Sequence, residues 1–147
     1  MKKLLKTLTE TFGPSGYEDA VRAVVLKEIK PLADEVRVDA LGSVIARVKP
    51  AKNARNPKKI MLAAHMDEIG LIVSHIDNNG FLRFTNVGGT FGRYTLGSRV
   101  RFLNGTCGVV GYDRLESVDE AVPLSKMFID VGATSPKDCP VKVGDVA

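Results

Sequence analysis

His65 and Asp67 are the residues whose types and spacing best suit chemistry. One residue separates them, so in an extended strand both side chains leave the same face, about 7 Å apart. A neutral imidazole binds divalent metals. A carboxylate two positions on can orient that imidazole through its other ring nitrogen. Just before the pair, Ile60–Ala64 is wholly apolar, which predicts a strand buried on both faces. Open α/β sheets bind ligands beyond the C-terminal ends of such strands. The H-x-D spacing alone is equally met by two polar residues that cap a strand and face water.

The other reactive side chains have simpler readings. Glu68 faces the opposite way and is a weaker candidate. Asp39 precedes Leu41-Gly42-Ser43 and reads as a turn acid bonded to backbone. His75 lies ten residues past His65, about 33 Å along an extended strand, which excludes a shared metal. Ser15 and Glu18 fit the S-x-x-E capping box at a helix start. No base is identifiable near Ser15, so it is not read as a nucleophile. Cys107 and Cys139 are too few for a disulfide framework and are not spaced for zinc.

Two helices precede the pair. Leu4, Leu5, Leu8 and Phe12 recur at near-helical spacing, and Gly13-Pro14 stops that helix. After Ser15–Glu18 a second helix buries Val21, Val24, Val25, Ile29 and Leu32, with Arg22 outside. Pro31 ends or distorts its last turn. Strands at Val36–Asp39 and Val44–Val48 then form a hairpin. Beyond residue 68 the pattern is almost wholly β: 11 of the 14 glycines lie from Gly70 onward. Strands are expected at Ile69–Ile76, Phe81–Val87, Arg99–Leu103, Thr106–Tyr112, Met127–Val131 and Val141–Val146. Asp77–Gly80 and Asn104-Gly105 are turns, and Gly88-Gly89 and Gly92 make a loop around Arg93 and Tyr94. Strands at this spacing suggest a small barrel or sandwich.

Composition narrows the classes further. The 147 residues are 44% hydrophobic and 26% charged, in the globular range. No apolar run approaches the roughly 18 residues of a membrane span. The N-terminus lacks the apolar core of a signal peptide, so the expected location is cytoplasmic. The formal net charge of +4 resides in one loop. Lys49, Lys52, Arg55, Lys58 and Lys59 contain no acid among them, and without those five charges the chain carries −1. Four proline and asparagine residues interleave them and no aromatic does, so the loop reads as a solvated connector and not a nucleic-acid surface.

Five ordered blocks carry a family resemblance. FGPSGYE (Phe12–Glu18), DALGSVIA (Asp39–Ala46) and MLAAHMDEIGLIV (Met61–Val73) come in the order seen in the M42 metallo-aminopeptidases. That family includes the tetrahedral TET and glutamyl aminopeptidases and proteins once labelled endoglucanase M. VGGTFGRYTLGSRVRF (Val87–Phe102) and MFIDVGATSPKDCPVKVGD (Met127–Asp145) resemble its inserted domain. The resemblance implies an α/β fold. Residues 1–68 would be the N-terminal part of a zinc-peptidase-like α/β catalytic domain, and residues 69–147 an inserted small β-barrel used in dimerisation. It implies a hydrolase that releases N-terminal residues from peptides through metal-activated water. Two divalent ions, zinc or cobalt, would be held at the strand ends. His65 matches the first metal ligand, and Asp67 the catalytic-site carboxylate that orients it. A homo-oligomer is implied.

The sequence departs from the family in having Ser43 where asparagine is usual. Tyr112-Asp113-Arg114-Leu115 also replaces a stretch that usually contains proline and histidine. The bridging aspartate, the general-base glutamate and the other ligands lie beyond the insert in the family. Of the metal ligands only His65 is present. A catalytic zinc site takes about three protein ligands, so the 147 residues alone are expected to be inactive and not to hold both metals. The competing reading is a non-catalytic β-rich self-association module. A glycan hydrolase would require two carboxylates across a cleft, and no such pair can be nominated.

Overall fold

The computed structural model describes residues 1–113 and 122–147. It is a mixed α/β chain that forms two compact units, Met1–Asp67 and Glu68–Ala147. Arg114 and Leu115, noted above for their departure from the family pattern, lie outside the described residues.

The first unit opens with helix α1 (Lys2–Glu10). Thr7, Thr9 and Thr11 return their hydroxyls to backbone carbonyls one turn back. The chain turns extended at Thr11, just before Gly13-Pro14. Helix α2 (Asp19–Ile29) follows, with Val21 its one buried residue. Val21 lies against Gly13, where an added Cβ would come within 2.7 Å of Val21 Cγ1. Glycine there permits the close approach of the connector to α2.

Strands β1 (Glu35–Val38) and β2 (Val44–Arg47) form the expected hairpin, in register from Glu35 opposite Arg47 to Val38 opposite Val44. Asp39 is the turn acid: its Oδ1 accepts from Leu41 N and Ser43 N at 3.0 and 2.9 Å. Gly42 adopts φ +89°, which only glycine takes without cost. Its carbonyl accepts from Arg22 Nε at 2.7 Å. Arg22 was expected outside; its side chain is only 17% exposed and also pairs with Glu18 and Asp19. The stem of a long basic side chain covers apolar surface while its head finds partners.

Leu32 and the Ile60–Ala64 run also depart from expectation. Leu32 is not part of the buried face, because Pro31 turns the chain into a 3-10 segment (Lys30–Leu32) that carries it outward. Ile60–Ala64 forms no strand, and Ile60, Met61 and Leu62 are 85, 88 and 93% exposed. A strand buried on both faces needs neighbouring strands for its backbone groups and a covering layer on each face. The only sheet among the described residues of this unit is the β1–β2 hairpin.

The second unit is one antiparallel five-stranded sheet, curled into half a barrel, in the order β3-β4-β7-β6-β5. Its strands are β3 (Gly70–Ile76), β4 (Leu82–Val87), β5 (Arg99–Arg101), β6 (Cys107–Tyr112) and β7 (Met127–Asp130). Asp77 makes the β3–β4 turn by accepting from Asn79 N and Phe81 N. β7 lies between β4 and β6. Leu71, Val73, Leu82, Phe84, Phe102, Val110, Met127, Ile129 and Val141 form one buried cluster. Each such side chain stabilises the fold by roughly 1.5–3 kcal/mol.

Here too the structure corrects the reading. Val141–Val146 is not a regular strand. It runs along β3 with backbone bonds at Leu71 and Val73, and only Ile72–Val146 forms a bridge. Gly144 at φ +92° and the bond from Lys142 N to Asp145 Oδ2 turn the run before a ladder can form. The glycine loop around Arg93 and Tyr94 contains a short helical turn, α3 (Gly92–Thr95). A bulge between Val73 and His75 breaks the alternation of β3 and leaves His75 exposed. No helix among the described residues is long and apolar enough to cross a membrane.

Candidate metal centre

His65 and Asp67 belong to the irregular segment that ends the first unit. Their side chains meet directly. His65 Nδ1 lies 2.8 Å from Asp67 Oδ1 and 3.0 Å from the Asp67 carbonyl. Both oxygens only accept, so Nδ1 carries the proton and donates. That leaves the lone pair on Nε2, and the side chain is 85% exposed. An imidazole so arranged is the usual form of a metal-ligating histidine, its second nitrogen fixed by a carboxylate.

Asp67 has a second partner. Ser15 Oγ donates to Oδ2 at 2.5 Å across 52 positions of sequence. The Ser15 hydroxyl first, and the His65 ring second, hold the Asp67 carboxyl below the usual carboxylate range. Each favours the ionised form by hydrogen bonding to it.

The capping reading of Ser15 is therefore corrected. Helix α2 is preceded by Glu18 in the cap position, and no side chain bonds its first turn as a cap. Glu18 does reach back, but to Gly16 N at 2.6 Å. Ser15 is freed for Asp67 because the turn at Pro14–Tyr17 is closed by backbone, Tyr17 N donating to Pro14 O at 2.8 Å. Nothing in one sequence announces a contact over 52 residues. The signal available was the small, rigid Gly13-Pro14-Ser15-Gly16 run.

A groove of about 440 Å³ opens along this face of the unit. Its walls include Arg22 and Val25 of α2, Gly42 and Val44 of the hairpin, and the His65–Asp67 segment. Among the described residues no group of three or more histidine, cysteine, aspartate or glutamate side chains could hold one metal ion. His65 thus offers one oriented nitrogen donor, whereas a catalytic zinc site takes about three protein ligands. His75 lies on β3 of the second unit and Asp39 in the hairpin turn, and neither is assigned to this centre.

Comparison with known proteins gives this geometry a context. Residues 42–147 match the family described as M42 glutamyl aminopeptidase. A relative from Acetivibrio thermocellus, named as a candidate aminopeptidase, is 47% identical over the whole chain, which covers 44% of that relative. The TET aminopeptidase of a marine sediment thaumarchaeon (Thaumarchaeota archaeon SCGC AB-539-E09) superposes with a TM-score of 0.86 at 39% identity. That match takes in 99% of this chain and 43% of the archaeal one. The TET1 peptidase of Pyrococcus horikoshii, described as assembling into a tetrahedron or a large octahedral shell, gives 0.82 at 34% identity. It too is matched over 99% of this chain and 45% of its own. The chain thus spans less than half the length of each.

Proposed function

The chain belongs to the M42 glutamyl aminopeptidase family, and on that premise we propose that it carries one corner of a binuclear-metal aminopeptidase site. His65 is a metal ligand through Nε2, and Asp67 is the carboxylate that sets the ring's tautomer and direction. The observation that carries this reading is the 2.8 Å bond between Asp67 Oδ1 and His65 Nδ1 on an otherwise exposed ring. When bound, two zinc or cobalt ions would supply Lewis acidity, lowering the pKa of water and polarising the scissile carbonyl. Asp67 keeps the proton on Nδ1 and so keeps Nε2 available as a donor. It also offsets positive charge that gathers at the ring. The remaining ligands and the glutamate base come from outside residues 1–147, and the substrates are peptides cleaved at their N-termini. The proposed location is cytoplasmic.

The test is hydrolysis of aminoacyl p-nitroanilides with added zinc or cobalt. Residues 1–147 alone are expected to give no turnover. In a polypeptide of the relatives' length, His65→Ala is expected to abolish metal-dependent turnover and His75→Ala to leave it. Metal-dependent turnover by residues 1–147 alone, or full activity of His65→Ala, would overturn the assignment.

One observation favours a second role for the second unit. Phe91 and Tyr94 are 68 and 74% exposed and pack edge-on, with Arg93 over the Tyr94 ring. Aromatic and arginine side chains are enriched where protein interfaces are tightest. We propose that residues 69–147 are the inserted barrel-type domain through which copies associate. This is compatible with the non-catalytic self-association reading as well as with the peptidase one.

A further inference from the structure

Ser15 has no role in capping α2, yet its place is closely fixed. Pro14 before it is fully buried, and the ring of proline restricts its own backbone. Gly16 after it takes φ +86°. The turn is closed by the Tyr17–Pro14 backbone bond and by Glu18 on Gly16 N. The one hydrogen bond of the Ser15 side chain among the described residues runs to Asp67 Oδ2. A carboxylate held by one partner is only loosely fixed about its terminal torsion, which is broad and roughly two-fold. With Ser15 on Oδ2 and His65 on Oδ1, that rotation is stopped at both ends.

The direction of this bond also settles what Ser15 does not do. Its single proton is given to a carboxylate whose other oxygen is engaged by His65. It is not given to a nitrogen base, so the hydroxyl is not activated for attack.

We propose that Ser15 is a positioning residue of the metal centre: by fixing Oδ2 of Asp67 it keeps Oδ1 on His65 Nδ1 and so keeps Nε2 as the lone-pair nitrogen. This rests on the assignment of Asp67 and His65 made above and extends it to a residue of the α1–α2 connector. Removing the hydroxyl frees the carboxylate to rotate and lets the His65 proton redistribute between its two nitrogens. A purely structural Ser15 would leave that distribution alone.

The test reads the tautomer directly, without metal or activity. The chain has two histidines, His65 and His75, so long-range proton–nitrogen spectra of the labelled 147-residue protein, above the range where histidine charges, are assignable with His75→Gln. In the unsubstituted protein His65 is expected to be protonated at Nδ1. Ser15→Ala is expected to raise the Nε2-protonated population severalfold. Ser15→Thr and Ser15→Val match each other in shape and differ in the hydroxyl; the first is expected to retain the original tautomer and the second to lose it. This pair serves where Ser15→Ala perturbs folding, and the amide spectrum reports that. If Asp67→Asn shifts the tautomer while Ser15→Ala and Ser15→Val do not, the role of Ser15 is overturned and that of Asp67 stands. If none of the three shifts it, the Asp67 backbone carbonyl, 3.0 Å from Nδ1, holds the proton instead and the role of the Asp67 carboxylate falls as well.

Discussion

Ser15 and Asp67 lie 52 positions apart, yet the hydroxyl of one is 2.5 Å from the carboxylate of the other. That single bond ties the connector between the two helices to the segment that presents His65. The connector's shape therefore matters to the site.

Gly13→Ala is expected to destabilise the first unit by roughly 1–3 kcal/mol, the usual cost of forcing extra volume into a packed position. The added methyl would come within 2.7 Å of Val21, which is 4% exposed. Gly89→Ala, with nothing within 4 Å, is the control and is expected to be neutral. Urea denaturation followed by backbone circular dichroism checks both.

The core of the second unit rests on side chains such as Ile129, which has no exposed surface. Ile129→Ala is expected to cost about 2–5 kcal/mol. Ile60→Ala, at a position 85% exposed, is expected to change the stability of the 147-residue chain by no more than about 0.5 kcal/mol. A comparable loss at Ile60 would mean that the apolar run is covered in solution.

A pH dependence follows from Arg83 and Asp113. The guanidinium donates to both Asp113 oxygens at 2.7 and 3.1 Å and holds the carboxyl below the usual carboxylate range. A carboxyl whose folded value is lowered binds its proton more readily when unfolded. Its stabilisation is therefore present above the ordinary value of 3.8 and fades as pH falls through the lowered folded value. Asp113→Asn is expected to flatten the stability profile of the second unit in that acid window and to weaken it at neutral pH. Thermal melts from pH 2.5 to 7 provide the measurement, and parallel profiles for the two proteins would contradict it.

The exposed aromatic pair gives a prediction about assembly. Phe91→Ser together with Tyr94→Ser is expected to lower the sedimentation coefficient at high protein concentration towards that of a monomer. Both side chains are too exposed for their removal to unfold the unit. A monomer before substitution, or unchanged association after it, would count against this surface as the interface.

Local physics was legible from the sequence. The helices over Leu4–Leu8 and Val21–Ile29, the Asp39 and Asp77 turns, and most strands of the glycine-rich half follow from periodicity and turn chemistry within a few residues. The five ordered blocks also carry the likeness to the M42 family by themselves. Other features depended on what lies across the fold. Ile60–Ala64 reads as a buried strand, but a strand forms only where neighbours take up its backbone groups, and neither strand of the β1–β2 hairpin pairs with it. Val141–Val146 reads as a strand, but Gly144 turns it along β3. Ser15 reads as a cap because a capping box is a local pattern. Its actual partner, Asp67, is brought to it by the folding of two helices and a hairpin between them. Spacing puts His65 and Asp67 on one face of a strand end; the structure places them in an irregular segment where their side chains meet, and there a third residue, Ser15, holds the Asp67 carboxylate.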